Sequence, residues 1–165
     1  MKRIILLLAI AATFLFHGCT PKEEIHADLL AEVFEVRTSF TAANNYSKLI
    51  TLNPPIYNSD MVLVYRLFDV INGQSLWRQL PQAVYLIQGE LDYNFDFTRN
   101  DINLFLESDF DLATLGTTWS QNQVFRVVII PGYLSNKNKK AVDFNDYDAV
   151  VKAFNIKDSQ VITIQ

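Results

Sequence analysis

The stretch Glu90-Leu91-Asp92-Tyr93-Asn94-Phe95-Asp96-Phe97-Thr98 alternates without a break. Leu91, Tyr93, Phe95 and Phe97 fall on one parity, and Glu90, Asp92, Asn94, Asp96 and Thr98 on the other. Successive side chains of a strand point to opposite faces, so the pattern predicts a strand with one face on a core and one in water. A strand wet on one side belongs to an antiparallel sheet, because parallel sheets are covered on both faces. Arg99-Asn100-Asp101 closes the segment with turn-forming residues.

The same reading extends in both directions. Residues 33–40 alternate, with Phe34, Val36, Thr38 and Phe40 on one parity, and Asn44-Asn45 offers a turn before a second β-prone run over residues 46–52. Asn53-Pro54-Pro55 ends that run. Residues 61–71 are β-branched and aromatic on both parities, broken mainly by Arg66 and Asp69, which predicts a strand covered on both faces. Asn72-Gly73 follows, a strong hairpin signal because both positions tolerate positive φ. The return arm covers residues 74–80, Pro81 separates it from a strand over residues 84–87, and Gln88-Gly89 turns the chain again.

Downstream, residues 102–106 read as a short strand and residues 108–121 as a long, partly ordered connection. Residues 123–130 are apolar on both parities except for Arg126, which predicts a central strand ending at Pro131-Gly132. One helix is expected, capped by Asn145 with Asp148 at its third position, and Tyr147, Val150, Val151 and Phe154 recur at helical spacing. Residues 161–164 form a last strand. Short strands with regular turns and no βαβ rhythm predict a mainly β protein, an antiparallel β-sandwich, Ig-like or related, with one short C-terminal helix. The cysteine-tryptophan-cysteine spacing of true immunoglobulin domains is missing.

The N-terminus has a different character. Met1-Lys2-Arg3 precedes an apolar run over residues 4–16 interrupted only by Thr13, and Gly18-Cys19 follows. A basic start, an apolar middle and a small residue before the cut form an export signal. The run is too short to span a bilayer core, which takes about twenty residues. Phe16-His17-Gly18-Cys19 resembles the lipobox of bacterial lipoproteins. The resemblance implies diacylglyceryl transfer to the Cys19 sulfur, cleavage before it, and acylation of the new N-terminus by a fatty acid of the palmitate kind. It divides the chain into a signal peptide over residues 1–18, a lipid-anchored tether over 19–30 and a β-sandwich domain over 31–165. Thr20-Pro21-Lys22-Glu23-Glu24 is similar to the surface-export signal of Bacteroidota lipoproteins, which implies an outer-membrane anchor and possible surface display.

Composition narrows the chemistry. Removing 18 of 165 residues leaves 147, enough for one domain with a sizeable core, and shifts the net charge from −4 to −6 because Lys2 and Arg3 leave. An acidic chain has no electrostatic attraction to phosphate backbones, so no nucleic-acid partner is expected. Lys137, Lys139 and Lys140 read as a solvated loop among asparagines. His17 lies in the signal and His26 in the tether, so residues 31–165 hold neither histidine nor cysteine. That composition leaves out imidazole-based triads and the common zinc, copper and iron ligand sets, and no cofactor is expected.

Three groups of residues are candidates for a site. Asp92, Asn94 and Asp96 step along one strand face, where oxygen ligands for calcium or a glycosidase carboxylate would stand, although such a face is ordinarily just the wet side of a sheet. Arg66 and Arg126 interrupt the two most apolar strands, so each is expected to reach a sheet edge or meet a carboxylate, with anion binding as the functional alternative. Trp77, Trp119, Tyr57, Tyr65 and Tyr85 could form a sugar-stacking platform, although aromatics on strands are more often core.

Phrases such as Val33-Phe34-Glu35-Val36, Tyr93-Asn94-Phe95-Asp96-Phe97-Thr98 and Asn122-Gln123-Val124-Phe125-Arg126 look like a group of small Bacteroidota lipoproteins without an assigned activity. Some of these carry a collagen-like stretch between anchor and domain, which this chain lacks. The expectation is a lipid-anchored, non-enzymatic binding or scaffolding module with a glycan or envelope protein as partner. The alternatives are a carboxylate-dependent glycan hydrolase and an accessory subunit of an outer-membrane assembly.

Overall fold

The computed structural model describes residues 30–134, 142–157 and 161–164. The export signal, Cys19, His26 and the cluster of Lys137, Lys139 and Lys140 lie outside the described residues.

The strands are β1 (Glu32–Thr38), β2 (Ser47–Thr51), β3 (Met61–Ile71), β4 (Gln74–Gln79), β5 (Gln82–Leu86), β6 (Gly89–Phe97), β7 (Asp101–Ser108), β8 (Gln123–Ile130) and β9 (Ile162–Ile164). Among the described residues the helices α1 (Thr117–Ser120) and α2 (Tyr147–Phe154) join them. The strands form two sheets, one in the order β4-β3-β8-β1-β9 and one in the order β2-β7-β6-β5. The expected antiparallel sandwich is present. One pairing departs from it, because β9 runs parallel to β1, with Phe34 opposite Ile162.

Parity decides what each sheet buries. On the five-stranded sheet Phe34, Val36, Val62, Val64, Phe125, Val127 and Ile129 face the second sheet and meet Leu91, Tyr93, Ile102, Leu104 and Leu106 from it. The opposite parity of the same strands, Leu63, Tyr65, Val128 and Ile130, packs under Tyr147, Val150 and Phe154 of α2. The molecule therefore has three layers, helix on sheet on sheet. This is why β3 and β8 are apolar on both parities while β6 alternates, since among the described residues the five-stranded sheet alone is covered on both sides. Among the described residues the outer face of the four-stranded sheet has no such cover.

The hairpin turn at Asn72-Gly73 has both residues at positive φ, 52° and 80°, as its sequence requires. At the β5–β6 turn Leu86 pairs with Gly89, so Ile87 sits at the exposed tip instead of continuing the strand. Gly89 has φ +143°, and an added Cβ would lie 2.0 Å from Asp109 Oδ1, which accepts a hydrogen bond from Glu90 N. No larger residue fits there.

Two local expectations are corrected. The α2 cap is Asp146, not Asn145: the Asp146 Oδ1 accepts from the backbone N–H groups of Asp148 and Ala149, while Asn145 turns back to Asp143. Adjacent Asn and Asp are both good caps, and the second wins because it brings Tyr147 and Val150 onto the sheet. The strand at residues 102–106 is longer than its apolar core, running Asp101–Ser108 through the interior of the four-stranded sheet between β2 and β6. Its polar ends are paired, Asp101 with Thr51 of β2, far off in sequence, and Ser108 with Leu91 of the neighbouring β6.

Candidate functional site

The two arginines of the central strands lie on opposite faces of one sheet. Arg66 on β3 is opposite Phe125 of β8, and Arg126 on β8 is opposite Tyr65 of β3. Arg126 therefore points to the helix layer and Arg66 into the space between the sheets.

Arg126 meets the expected carboxylate. Its Nη2 lies 2.6 Å from Glu35 Oε1 on β1, and its Nη1 donates to Tyr147 Oη at 2.7 Å. The guanidinium stands 4.3 Å from the Trp77 ring centre and 5.0 Å from that of Tyr147, so aromatic faces complete its surroundings. Burial pulls its pKa down, but the hydrogen bonds and charges of Glu35 and Tyr147 outweigh this and hold it above the usual range. This is a structural clamp joining β1, β4, β8 and α2.

Arg66 departs from expectation, because no carboxylate pairs with it among the described residues. It is 3% exposed, and its Nε and Nη2 both donate to Gln123 Oε1, at 2.9 and 2.7 Å. Arginine can only donate, so the amide must turn its oxygen inward. The other end of that amide donates to the carbonyls of Thr118 and Gln121 at 3.0 and 2.8 Å. The α1 segment thus fixes Gln123, and Gln123 fixes Arg66. The guanidinium lies 4.0 Å from the Tyr93 ring centre and 5.6 Å from that of Trp119. Tyr93 is held there by its hydroxyl, which donates to the carbonyl of Trp119. Burial pushes the Arg66 pKa below its usual range, with Tyr93 opposing and Arg78 adding to the fall. Burial also pushes Tyr93 up to about 12 against the pull of Arg66.

More polar groups gather at this end. Arg66 Nη1 has no hydrogen-bond partner among the described residues, and neither do the Nε2 and Oε1 of Gln82. Gln82 is 7% exposed and directly opposite Tyr93 in the β5–β6 ladder, so its side chain enters the same inter-sheet space. Arg78 is directly opposite Arg66 in the β3–β4 ladder, with its guanidinium 3.3 Å from the Phe68 ring centre. The inter-sheet core, apolar through most of its length, ends in a layer of Arg66, Gln82 and Gln123. The sequence signal for this layer was Arg66 alone. The glutamines were missed because each opens a strand, where a polar residue reads as a boundary.

The other candidates disperse. Asp92, Asn94 and Asp96 lie on the outer face of the four-stranded sheet, as their parity predicts, and Asn94 donates to Glu107 Oε2 at 2.6 Å. Asp92 and Asp96 are two strand repeats apart, about 13 Å along the backbone, beyond the separation of a glycosidase pair. Among the described residues no group of three or more histidine, cysteine or acidic side chains is placed to hold a metal ion. The five aromatics do not form a platform. Tyr65 is fully buried, Trp77 packs toward α2, Trp119 packs on the inter-sheet core, and only Tyr57 and Tyr85 are exposed. Two shallow grooves flank the start of β1, about 240 Å³ beside Pro54, Ile56 and Tyr57 and about 410 Å³ beside Phe154 and Ile162. No family model, curated protein or solved structure matches the chain.

Proposed function

We propose that the chain is a lipid-anchored protein of the bacterial cell envelope whose β-sandwich binds or scaffolds a partner and does not catalyse a reaction. The observation that carries this reading is the N-terminal sequence, in which Lys2 and Arg3, the apolar run and Gly18 lead to the chain's single cysteine, Cys19. One acyl chain holds a protein only marginally, at ~0.8 kcal/mol per buried methylene, so the several chains of a lipoprotein cysteine supply a stable anchor.

The domain's polar interior supports a binding role over catalysis. The groups it fixes most firmly are arginine, glutamine and tyrosine, and Tyr93 is moved further from neutral pH, not toward it. A general acid or base works best with a pKa near the operating pH, and the domain has no histidine to supply one.

Mass spectrometry of the mature N-terminus tests the anchor. A lipidated Cys19 is expected, and Cys19→Ala should leave an unprocessed chain. An unmodified, uncleaved N-terminus in the parent protein would overturn the reading.

A further inference from the structure

We propose that the Arg66 end of the sandwich is a binding site for a small carboxylate, received on the buried, unpartnered Nη1 edge of Arg66 with Gln82 and Arg78 beside it. The inference gives the binding role proposed above a ligand class. It does not depend on the anchor, and the N-terminal mass spectrum and the melting series below fail separately.

Three independent observations lead to it. The first is charge. A buried ion is costly unless it is paired, yet among the described residues Arg66 meets a neutral amide and two ring faces. Arg126, on the other face of the same sheet, has its carboxylate at 2.6 Å. The second is register. Arg78 stands directly across from Arg66, and like charges so placed repel, whereas an anion between them turns the juxtaposition into attraction. The third is Gln82, which brings a buried and unpartnered amide to the same space beside Tyr93. Its N–H can donate to an oxyanion that Arg66 holds.

The class of anion follows from the geometry. Gln123 occupies the Nε and Nη2 side of the guanidinium, leaving the Nη1 edge for a planar acceptor. A carboxylate offers two oxygens in one plane, matching that edge. Tyr93, Trp119 and Phe68 beside the two arginines suit the carbon end that a carboxylate brings and an inorganic anion lacks.

The test is thermal unfolding of the full-length chain in mild detergent, with acetate, glucuronate or acetylglycine titrated against chloride and phosphate at constant ionic strength. A ligand that binds only the folded state raises Tm by mass action, by about 5–10 °C at a hundredfold excess over Kd for a domain of this size. A rise with carboxylates beyond chloride and phosphate, lost in Arg66→Met and reduced in Gln82→Leu, is expected. A larger rise with glucuronate identifies an acidic sugar as the source, and one with acetylglycine a chain end. Equal effects of all the anions, or a rise retained in Arg66→Met, overturn the proposal. If Arg66→Met does not fold, Gln82→Leu decides, and an unchanged rise there overturns it.

Discussion

Arg126 and Arg66 occupy neighbouring strands of one sheet, one residue apart in register, and are solved in opposite ways. Arg126 has a carboxylate, a phenol and two ring faces from three other elements, all within the helix-covered layer. Arg66 has an amide and two ring faces, and one of its two directly opposite strand neighbours is another arginine. The helix-covered face neutralises its buried charge within the chain. The inter-sheet face does not. A clamp whose charge is paired within the chain is structural, and one that lacks a counter-charge has capacity for a ligand.

The largest effect should come from breaking the complete clamp. Glu35→Ala leaves Arg126 with its carboxylate gone, and removing one partner of a buried pair costs about 3–5 kcal/mol. The side chains of Arg126 and Glu35 are 12% and 15% exposed, so a loss of about 3 kcal/mol is expected in urea denaturation. Replacing both, as Glu35→Leu with Arg126→Met, should recover most of it, because apolar residues of similar volume often substitute for a buried pair without loss. A cost below about 0.5 kcal/mol for Glu35→Ala would put the pair with surface ion pairs and remove the contrast with Arg66.

Alkaline pH sharpens the contrast from the Arg66 side. Burial raises the Tyr93 pKa from 10.0 to about 12, so above pH 10 the unfolded chain gives up a proton that the folded chain retains. Stability contributed by this group is full below pH 10 and is lost as pH rises toward 12. At about 1.4 kcal/mol per unit, the loss across that window is about 2–3 kcal/mol. Tyr65, on the helix-covered face, is also raised, through burial first and then Tyr147, Asp146 and Asp143, and adds to the fall. Tyr93→Phe should flatten the pH slope between 10 and 12 without abolishing it, and an unchanged slope would mean that Tyr93 ionises in the folded state.

Much of this arrangement was legible in the sequence, for a physical reason that also marks its limit. The alternation over residues 90–98 and the double-sided apolarity of residues 61–71 and 123–130 report burial directly, and burial is what separates the layers. Asn72-Gly73 specifies its turn through backbone sterics alone. The parallel pairing of β9 with β1 left no trace, because a three-residue strand carries too little pattern to show its partner. For the arginines, sequence could say that each charge needed an answer. Glu35 lies 91 residues from Arg126 and Gln123 lies 57 from Arg66, separations that only the sheet order resolves. The expectation that each arginine reaches a sheet edge or meets a carboxylate holds for Arg126 and fails for the buried Arg66, since the sheet face, not the strand, determines the neighbours.

A smaller effect should follow from trimming the complete clamp without breaking its ion pair. Tyr147→Phe removes the acceptor of Arg126 Nη1 while keeping the ring that packs at 5.1 Å from Tyr65 and 5.8 Å from Trp77. Hydrogen bonds to charged groups contribute about 1.5–3 kcal/mol, and the intact Glu35 contact puts the expected loss near the lower end, about 1.5 kcal/mol. A loss equal to that of Glu35→Ala would mean that the phenol and the carboxylate act as one unit, which a double-mutant cycle between Glu35 and Tyr147 would expose as strong coupling.

The smallest change is expected where the charge is least compensated. Arg66→Met, measured in buffer without carboxylates, removes the contacts with Gln123 and Tyr93 but also a buried cation and its repulsion from Arg78. Replacing a poorly compensated buried charge with an apolar side chain is often neutral or stabilising, so the net shift should stay within about 1 kcal/mol of zero in either direction. Arg126→Met with Glu35 left in place should cost more, because it strands a carboxylate beneath the helix layer. If Arg66→Met instead destabilises as much as Glu35→Ala, the amide and ring faces alone hold Arg66 as firmly as a carboxylate holds Arg126. The inter-sheet arginine would then be as structural as its neighbour.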